Sequence, residues 1–173
     1  CDSFMEGLAA LKRRLYPGGR FQMQLSLHTT SEERRRELVP ARTWSFARMA
    51  EWCVEFLEAG DRKVTLNFAP VAGFPMDARA LAHIFDPKLF FVKLTPVNPT
   101  ASAVSAGLRG VVDPDSPGAA EALMGEFERE GFETLISIGE TEENRIGSNC
   151  GMYVSAGDME AESETAGRQE VVR

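Results

Sequence analysis

Apolar and polar positions along this chain change period repeatedly, from helical spacing to strict alternation and back. Ser3 can cap a helix in which Phe4, Leu8, Leu11 and Leu15 recur at helical spacing, ended by Pro17-Gly18-Gly19. Residues 21–27 (Phe-Gln-Met-Gln-Leu-Ser-Leu) alternate as a strand does, and His28-Thr29-Thr30 leave it. After a charged loop, Thr43 or Ser45 opens a second helix through Phe46, Met49, Cys53, Phe56 and Leu57, stopped by Gly60. Residues 63–68 read as the next strand, running into a turn at 69–73, and Pro75 starts a short helix through Leu81 and Ile84. Residues 90–94 are a third strand, left by 95–99. The stretch 100–116 is irregular and rich in Ala, Ser, Gly and Pro, long enough to read as a functional loop or lid. Pro117 begins another helix with Leu123 and Phe127 inward and Gly131 as its stop, and 132–138 form a fourth strand. From about Ala156 the composition is that of a disordered acidic tail, which predicts a folded domain over 1–155 and a tail over 156–173.

Strands alternating with helices at this spacing predict parallel strands joined by helical crossovers, hence an α/β sheet or barrel. Four strands cannot close an eight-stranded barrel, so the pattern predicts either a small open sheet or the second half of a larger one. In both, chemistry gathers where strands end and the following loops begin. The polar, turn-rich stretches 26–28, 69–73, 95–99 and 139–151 all fall at that end.

Composition narrows the classes. At 173 residues the chain suits one domain, and no apolar run approaches the roughly 20 residues that span a bilayer. The three cysteines, Cys1, Cys53 and Cys150, make no disulfide framework, and cytoplasmic residence is the expectation. A net charge of −7 argues against a freestanding nucleic-acid binder. The basic clusters Lys12-Arg13-Arg14 and Arg34-Arg35-Arg36 could contact phosphates, but each reads more simply as a solvated helix face. Cys53 falls on the apolar face of a helix and reads as a small core residue. The chain opens on Cys1-Asp2 with no initiator Met, which reads as a cut through a larger protein.

The most pointed candidate is Cys150, in the run Arg-Ile-Gly-Ser-Asn-Cys-Gly-Met-Tyr over 145–153. Gly147 and Gly151 bracket it and let the backbone turn sharply, whereas a structural cysteine is usually packed among aliphatic side chains. Two readings stand: a presented, reactive thiol, or a tight turn in which the cysteine is incidental. Ser26 and His28 at a strand end and Asn98 between prolines stand likewise between ligand contacts and local turn structure.

At the four strand ends the chain resembles the radical S-adenosylmethionine RNA methyltransferases that modify C2 or C8 of adenine. Leu25-Ser-Leu-His28, with Arg35 and Leu38-Val-Pro40 downstream, resembles the family's Ser-Leu-His segment and its Arg…Leu-Met-Pro. Residues 64–68, running to Gly73, are similar to its fifth strand and turn, with Asn67 standing where the family carries a strand glutamate. Residues 92–99 (Val-Lys-Leu-Thr-Pro-Val-Asn-Pro) resemble Asn-Leu-Ile-Pro-Phe-Asn-Pro, and Asn149-Cys-Gly-Met152 resembles Ala-Cys-Gly-Gln. The likeness runs in order over roughly residues 20 to 154.

The resemblance implies the C-terminal half of a partial (β/α)6 TIM-like barrel, four parallel strands with crossover helices. It implies S-adenosyl-L-methionine and a 4Fe-4S cluster as cofactors, and ribosomal or transfer RNA as substrate and partner, with no membrane role. Ser26, Leu27, His28 and Asn98 would contact the cofactor. Cys150 would be catalytic: its thiolate takes a methyl from one cofactor molecule, a 5′-deoxyadenosyl radical from a second removes a hydrogen from that methyl, and the carbon radical adds to adenine. The family's three cluster cysteines form a C-x₃-C-x₂-C run that this sequence does not contain, so the cluster ligands are expected upstream of Cys1 and the chain alone is expected to be inactive. Two further readings stay open: a radical S-adenosylmethionine enzyme of another reaction type, and a non-catalytic α/β module that binds RNA or protein.

Overall fold

The computed structural model describes residues 2–39, 41–98, 103, 105–113 and 117–137. They divide between a larger unit within Cys1–Val97 and Arg109–Ile138 and a smaller one containing Asn98–Leu108. The larger unit holds α1 (Asp2–Leu15), β1 (Gln24–Ser26), α2 (Glu32–Leu38), α3 (Phe46–Phe56), β2 (Val64–Phe68), α4 (Ala78–Ala82), β3 (Phe90–Leu94), α5 (Gly118–Arg129) and β4 (Glu133–Ile136). In the smaller unit, the Leu108 N–H donates to the Ala103 carbonyl at 3.0 Å.

The four strands form one sheet in the order β1-β2-β3-β4, and every pair is parallel. Each connection moves one place in the same direction, and right-handed crossovers that never reverse leave all helices on one face. A doubly wound sheet, by contrast, reverses its order and carries helices on both faces. The burial pattern agrees. Val64, Leu66 and Phe68 of β2 and Phe90, Val92 and Leu94 of β3 are buried beneath the helices, while Asn67, Phe91 and Lys93 between them are only half-buried. This is a parallel α/β fold, as the strand–helix alternation predicts, and a one-faced layer of helices is that of the barrel wall the resemblance implies.

The apolar core lies between sheet and helices. Phe46, Met49, Trp52, Cys53 and Phe56 give α3 a wide buried face, and Ser45 caps it by accepting the Arg48 N–H at 3.2 Å. Phe68 stacks on Phe127 of α5 with ring centroids 5.9 Å apart, and Phe85 meets Phe90 edge-on at 4.9 Å. Each such fully buried ring stabilises the fold by roughly 1.5–3 kcal/mol. Cys53 is buried, and burial pushes its thiol up to about 12, which makes it an inert core residue as expected.

Several expectations need correction. The charged loop after Thr30 contains α2, a seven-residue helix capped by the Ser31 hydroxyl, which accepts the Arg34 N–H at 3.3 Å. Helix α1 does not bury the stripe read from its sequence. Phe4, Leu11 and Leu15 are exposed, and the helix rests instead on Ala9 and Lys12. Neither basic cluster is wholly solvated, because Lys12 and Arg35 are buried. Most of the stretch 100–116 lies outside the described residues. Its described part includes Gly110, which bridges to Val71, and Val112, which is buried. The acidic stretch 156–173 lies outside the described residues as well.

Candidate functional site

The strand exits of β1 and β2 carry the features that need explanation. Strand β1 ends at Ser26, and the Leu27 N–H still donates to the Asn67 carbonyl at 2.9 Å, keeping the chain against β2 for one further residue. The backbone then turns abruptly. His28 has φ of 66°, the one non-glycine residue with positive φ among the described residues. A left-handed conformation costs a residue with a Cβ about 1–2 kcal/mol, so the surroundings must hold it. They do so through one acceptor: the Pro75 carbonyl receives the Thr29 hydroxyl at 2.7 Å, the Thr30 N–H at 3.0 Å and the Thr30 hydroxyl at 3.2 Å. The Asp77 N–H returns to the Thr30 hydroxyl at 2.8 Å, so the loop after β1 and the loop after β2 are tied together.

Arg35 fixes the same turn from behind. Its Nη2 donates to the Ser26 carbonyl at 3.1 Å, its Nη1 donates to the Thr43 hydroxyl at 2.7 Å, and its guanidinium lies over the Phe46 ring at 5.6 Å. Its Nε is buried without a hydrogen-bond partner. Burial lowers the Arg35 pKa, against which the Glu32 charge works. His28 is half-buried, and burial, followed by the Arg35 charge, lowers its pKa below the ordinary 6.5. At neutral pH it is therefore an uncharged imidazole, offering one donor and one acceptor.

The residues expected from sequence take up different roles. Ser26 is exposed at the strand exit, and His28 stands two residues on. The Leu27 side chain is buried in the core and its N–H is spent on Asn67, so only its carbonyl remains for a ligand. Asn98 belongs to the smaller unit and is described by itself. Cys150 lies outside the described residues. Asn67 and Lys93 were not among the residues expected at the strand exits, although both are polar positions within apolar strands. Asn67 pairs in register with Ser26 on one side and Lys93 on the other, and its Oδ1 is buried with no partner. A cleft of about 170 Å³ lined by Glu6, Arg13, Trp44, Arg48 and Trp52 lies between α1 and α3, in the helical layer rather than at the strand exits.

The rim fits part of what a sulfonium nucleoside amino acid requires. It offers a hydroxyl, a neutral imidazole and an amide oxygen that lacks a donor. It does not fit an iron–sulfur cluster. Cys53 is the free cysteine among the described residues, and no metal-binding group of His, Cys, Asp or Glu occurs among them.

No protein-family model matches the chain. Curated relatives do. A protein of Moorella thermoacetica named "Probable dual-specificity RNA methyltransferase RlmN" is 31% identical over 134 residues, covering 75% of this chain and 35% of the relative. Its namesake from Frankia alni is 29% identical over 154 residues, covering 86% of this chain and 35% of the relative. This chain belongs to the radical S-adenosylmethionine RNA methyltransferase family. It spans about a third of the length of these family members. A crystal structure of a radical SAM methyltransferase from Sphaerobacter thermophilus superimposes with a TM-score of 0.62 at 21% identity, covering 86% of this chain and 41% of that one. That likeness concerns the fold alone.

Proposed function

We propose that this chain is the cofactor-holding and methyl-accepting wall of an enzyme that methylates C2 or C8 of an adenine in ribosomal or transfer RNA in the cytoplasm. The observation that carries the reading is the turn at Ser26–His28. A strained, uncharged histidine is held at a strand exit by the Pro75 carbonyl and by Arg35, beside an amide oxygen in need of a donor. Such strain persists where function requires a fixed geometry. The relatives' names and the ordered likeness of the four strand ends support the chemical class.

S-adenosyl-L-methionine would supply the methyl group and, at a 4Fe-4S cluster, radical chemistry. The chain's own residues bind and orient. The Ser26 hydroxyl and the neutral His28 imidazole hydrogen-bond the ligand's polar groups, and the Leu27 carbonyl adds an acceptor. On the sequence resemblance alone, Asn98 is a further cofactor contact. The Cys150 thiolate would accept the methyl group that S-adenosyl-L-methionine would supply. The cluster ligands are assigned to residues outside this sequence, which has no C-x₃-C-x₂-C run, and the chain alone is inactive.

Peptide mass spectrometry on the protein from its native cells tests this reading. A methyl group on the tryptic peptide covering 146–168, together with upstream peptides that carry a cluster motif, is the expected result. A bare Cys150 in a protein trapped before turnover sinks the methyl-accepting role. A native protein with no cluster motif sinks the enzyme reading and favours a binding module.

A further inference from the structure

Among the described residues a cation lies over an aromatic ring in four places, and one of them differs in where it stands. Lys12 over Phe56 and Arg35 over Phe46 involve buried cations, and Arg48 over Trp44 belongs to the cleft between α1 and α3. Arg34 over Phe74 joins the loops that follow β1 and β2, and its guanidinium carbon lies 4.4 Å from the ring centroid, the shortest of the four.

The loops that supply this pair are the ones tied at the Pro75 carbonyl. Phe74 immediately precedes Pro75, and the Arg34 N–H is held by the Ser31 hydroxyl that caps α2. The pair is therefore set by the same hydrogen bonds that hold the His28 turn. Yet it is open to solvent: Phe74 is half-buried and the Arg34 side chain is 41% exposed. The Arg34 Nη1 donates to Glu37 Oε1 at 2.7 Å. A guanidinium bonded at its edge and resting on a ring keeps a planar face for a further planar group.

That arrangement selects among what could dock. A phosphate gains little, because Glu37 already meets the Arg34 charge and α2 sets three glutamates against three arginines. An aliphatic side chain makes no use of the plane. An unpaired nucleobase does, since splayed-out RNA bases stack on arginine planes and aromatic rings. We propose that Arg34, seated on Phe74, is the platform on which an unpaired base next to the target adenine stacks. The inference rests on the function proposed above and adds to it the residue that positions the substrate RNA. Arg34 touches no reacting atom; by holding the neighbouring base it presents the adenine to the turn at His28.

The test is a binding cycle on the intact, cluster-loaded protein, with an RNA hairpin that holds an adenine among its unpaired loop bases. Each neighbour of that adenine is made abasic in turn. Arg34→Ala should weaken binding of the unmodified hairpin about tenfold, the worth of one stacked base. One abasic hairpin should lose the same factor with wild type and nothing further with Arg34→Ala, because base and platform act as one unit. Arg34→Lys keeps the charge without the plane and should bind as weakly as Arg34→Ala, with the salt dependence unchanged in both. S-adenosylmethionine affinity, measured for each variant, reports whether the turn is still formed. Wild-type RNA affinity in Arg34→Ala, or losses that multiply in the cycle, overturns the platform. An abasic series that costs wild type nothing at any position overturns it without recourse to a variant. Rescue by Arg34→Lys, with a salt slope lowered by about one in Arg34→Ala, gives Arg34 to a phosphate and overturns it likewise. Wild type that binds S-adenosylmethionine but no RNA overturns the proposed function itself, and this inference with it.

Discussion

Among the described residues two cations are buried, one at each end of the sheet, and they are treated in opposite ways. Lys12 of α1 meets the loop that enters β2. Its ammonium pairs with Asp61 and with Glu58 at 3.0 Å, donates to the Phe56 carbonyl at 3.1 Å and lies over the Phe56 ring at 4.9 Å. Arg35, at the exit of β1, has a carbonyl and a hydroxyl as hydrogen-bond partners and an Nε with none. The entry end is electrostatically closed, and the exit end is left partly unsatisfied. In parallel sheets the entry side serves stability and the exit side serves chemistry, and here that division is visible in how completely a buried charge is matched.

The comparison can be broken by removing each cation. Lys12→Met leaves Asp61, which is 5% exposed, without its counter-charge, and should cost about 3–5 kcal/mol in denaturant unfolding. Arg35→Met removes a charge that was never fully compensated, so its stability cost should be about 1 kcal/mol or less. It frees the Ser26 carbonyl, however, and should weaken S-adenosylmethionine binding about tenfold while the unfolding midpoint barely moves. Equal destabilisation by the two variants would erase the distinction between the ends.

A smaller backbone effect sharpens the entry-end half. Gly19 has φ of +76°, and a Cβ there would lie 2.9 Å from the Gly60 carbonyl oxygen. The Gly19 N–H also reaches the Asp61 carboxylate at 3.4 Å. Gly19→Ala should therefore cost roughly 1–2 kcal/mol, read as a lowered unfolding midpoint, with ligand binding unaffected.

The two ends also differ in pH response. Burial alone would raise the Asp61 pKa, but hydrogen bonds from Lys12 and from the Glu58 and Gly19 N–H groups outweigh it and hold the carboxyl below its ordinary value. Its stabilisation is thus full above the unfolded carboxylate pKa and lost as pH falls through the lower folded value. Lys12 is raised because its carboxylate partners outweigh burial, so its contribution is full below 10.5 and lost as pH rises through the folded value. His28 behaves differently. With its folded pKa below 6.5, stability declines between 6.5 and that lower value and then levels off. Unfolding measured across pH should show the acid limb from Asp61 shrink in Lys12→Met, and the smaller decline below 6.5 vanish in His28→Gln.

Much of this was legible in sequence because strong periods survive folding. Strands β2 and β3, the apolar face of α3 and the inert Cys53 follow from alternation and helical spacing. Helix α2 was not legible as an element, since Glu-Glu-Arg-Arg-Arg-Glu-Leu has no apolar stripe and only the Ser31 cap signals it. Helix α1 misleads for a related reason. Its long apolar residues outline a stripe at Phe4, Leu11 and Leu15, yet the Lys12 ion pairs rotate another face inward. A basic cluster in one dimension cannot show that its middle arginine is buried, nor that Asn67 and Lys93 are neighbours, because strand register is a tertiary fact. Cys150, the most pointed residue in the sequence, lies outside the described residues, and the role proposed for it rests on the sequence around it.

The most direct test of the division between the two ends is hydrogen–deuterium exchange mass spectrometry on the intact, cluster-loaded protein with and without S-adenosylmethionine. The account predicts slowed exchange in peptides covering 26–30 and 66–77, with no change over Lys12 or 58–63. Protection confined to the entry end, or none at the β1 exit under saturating ligand, would contradict it.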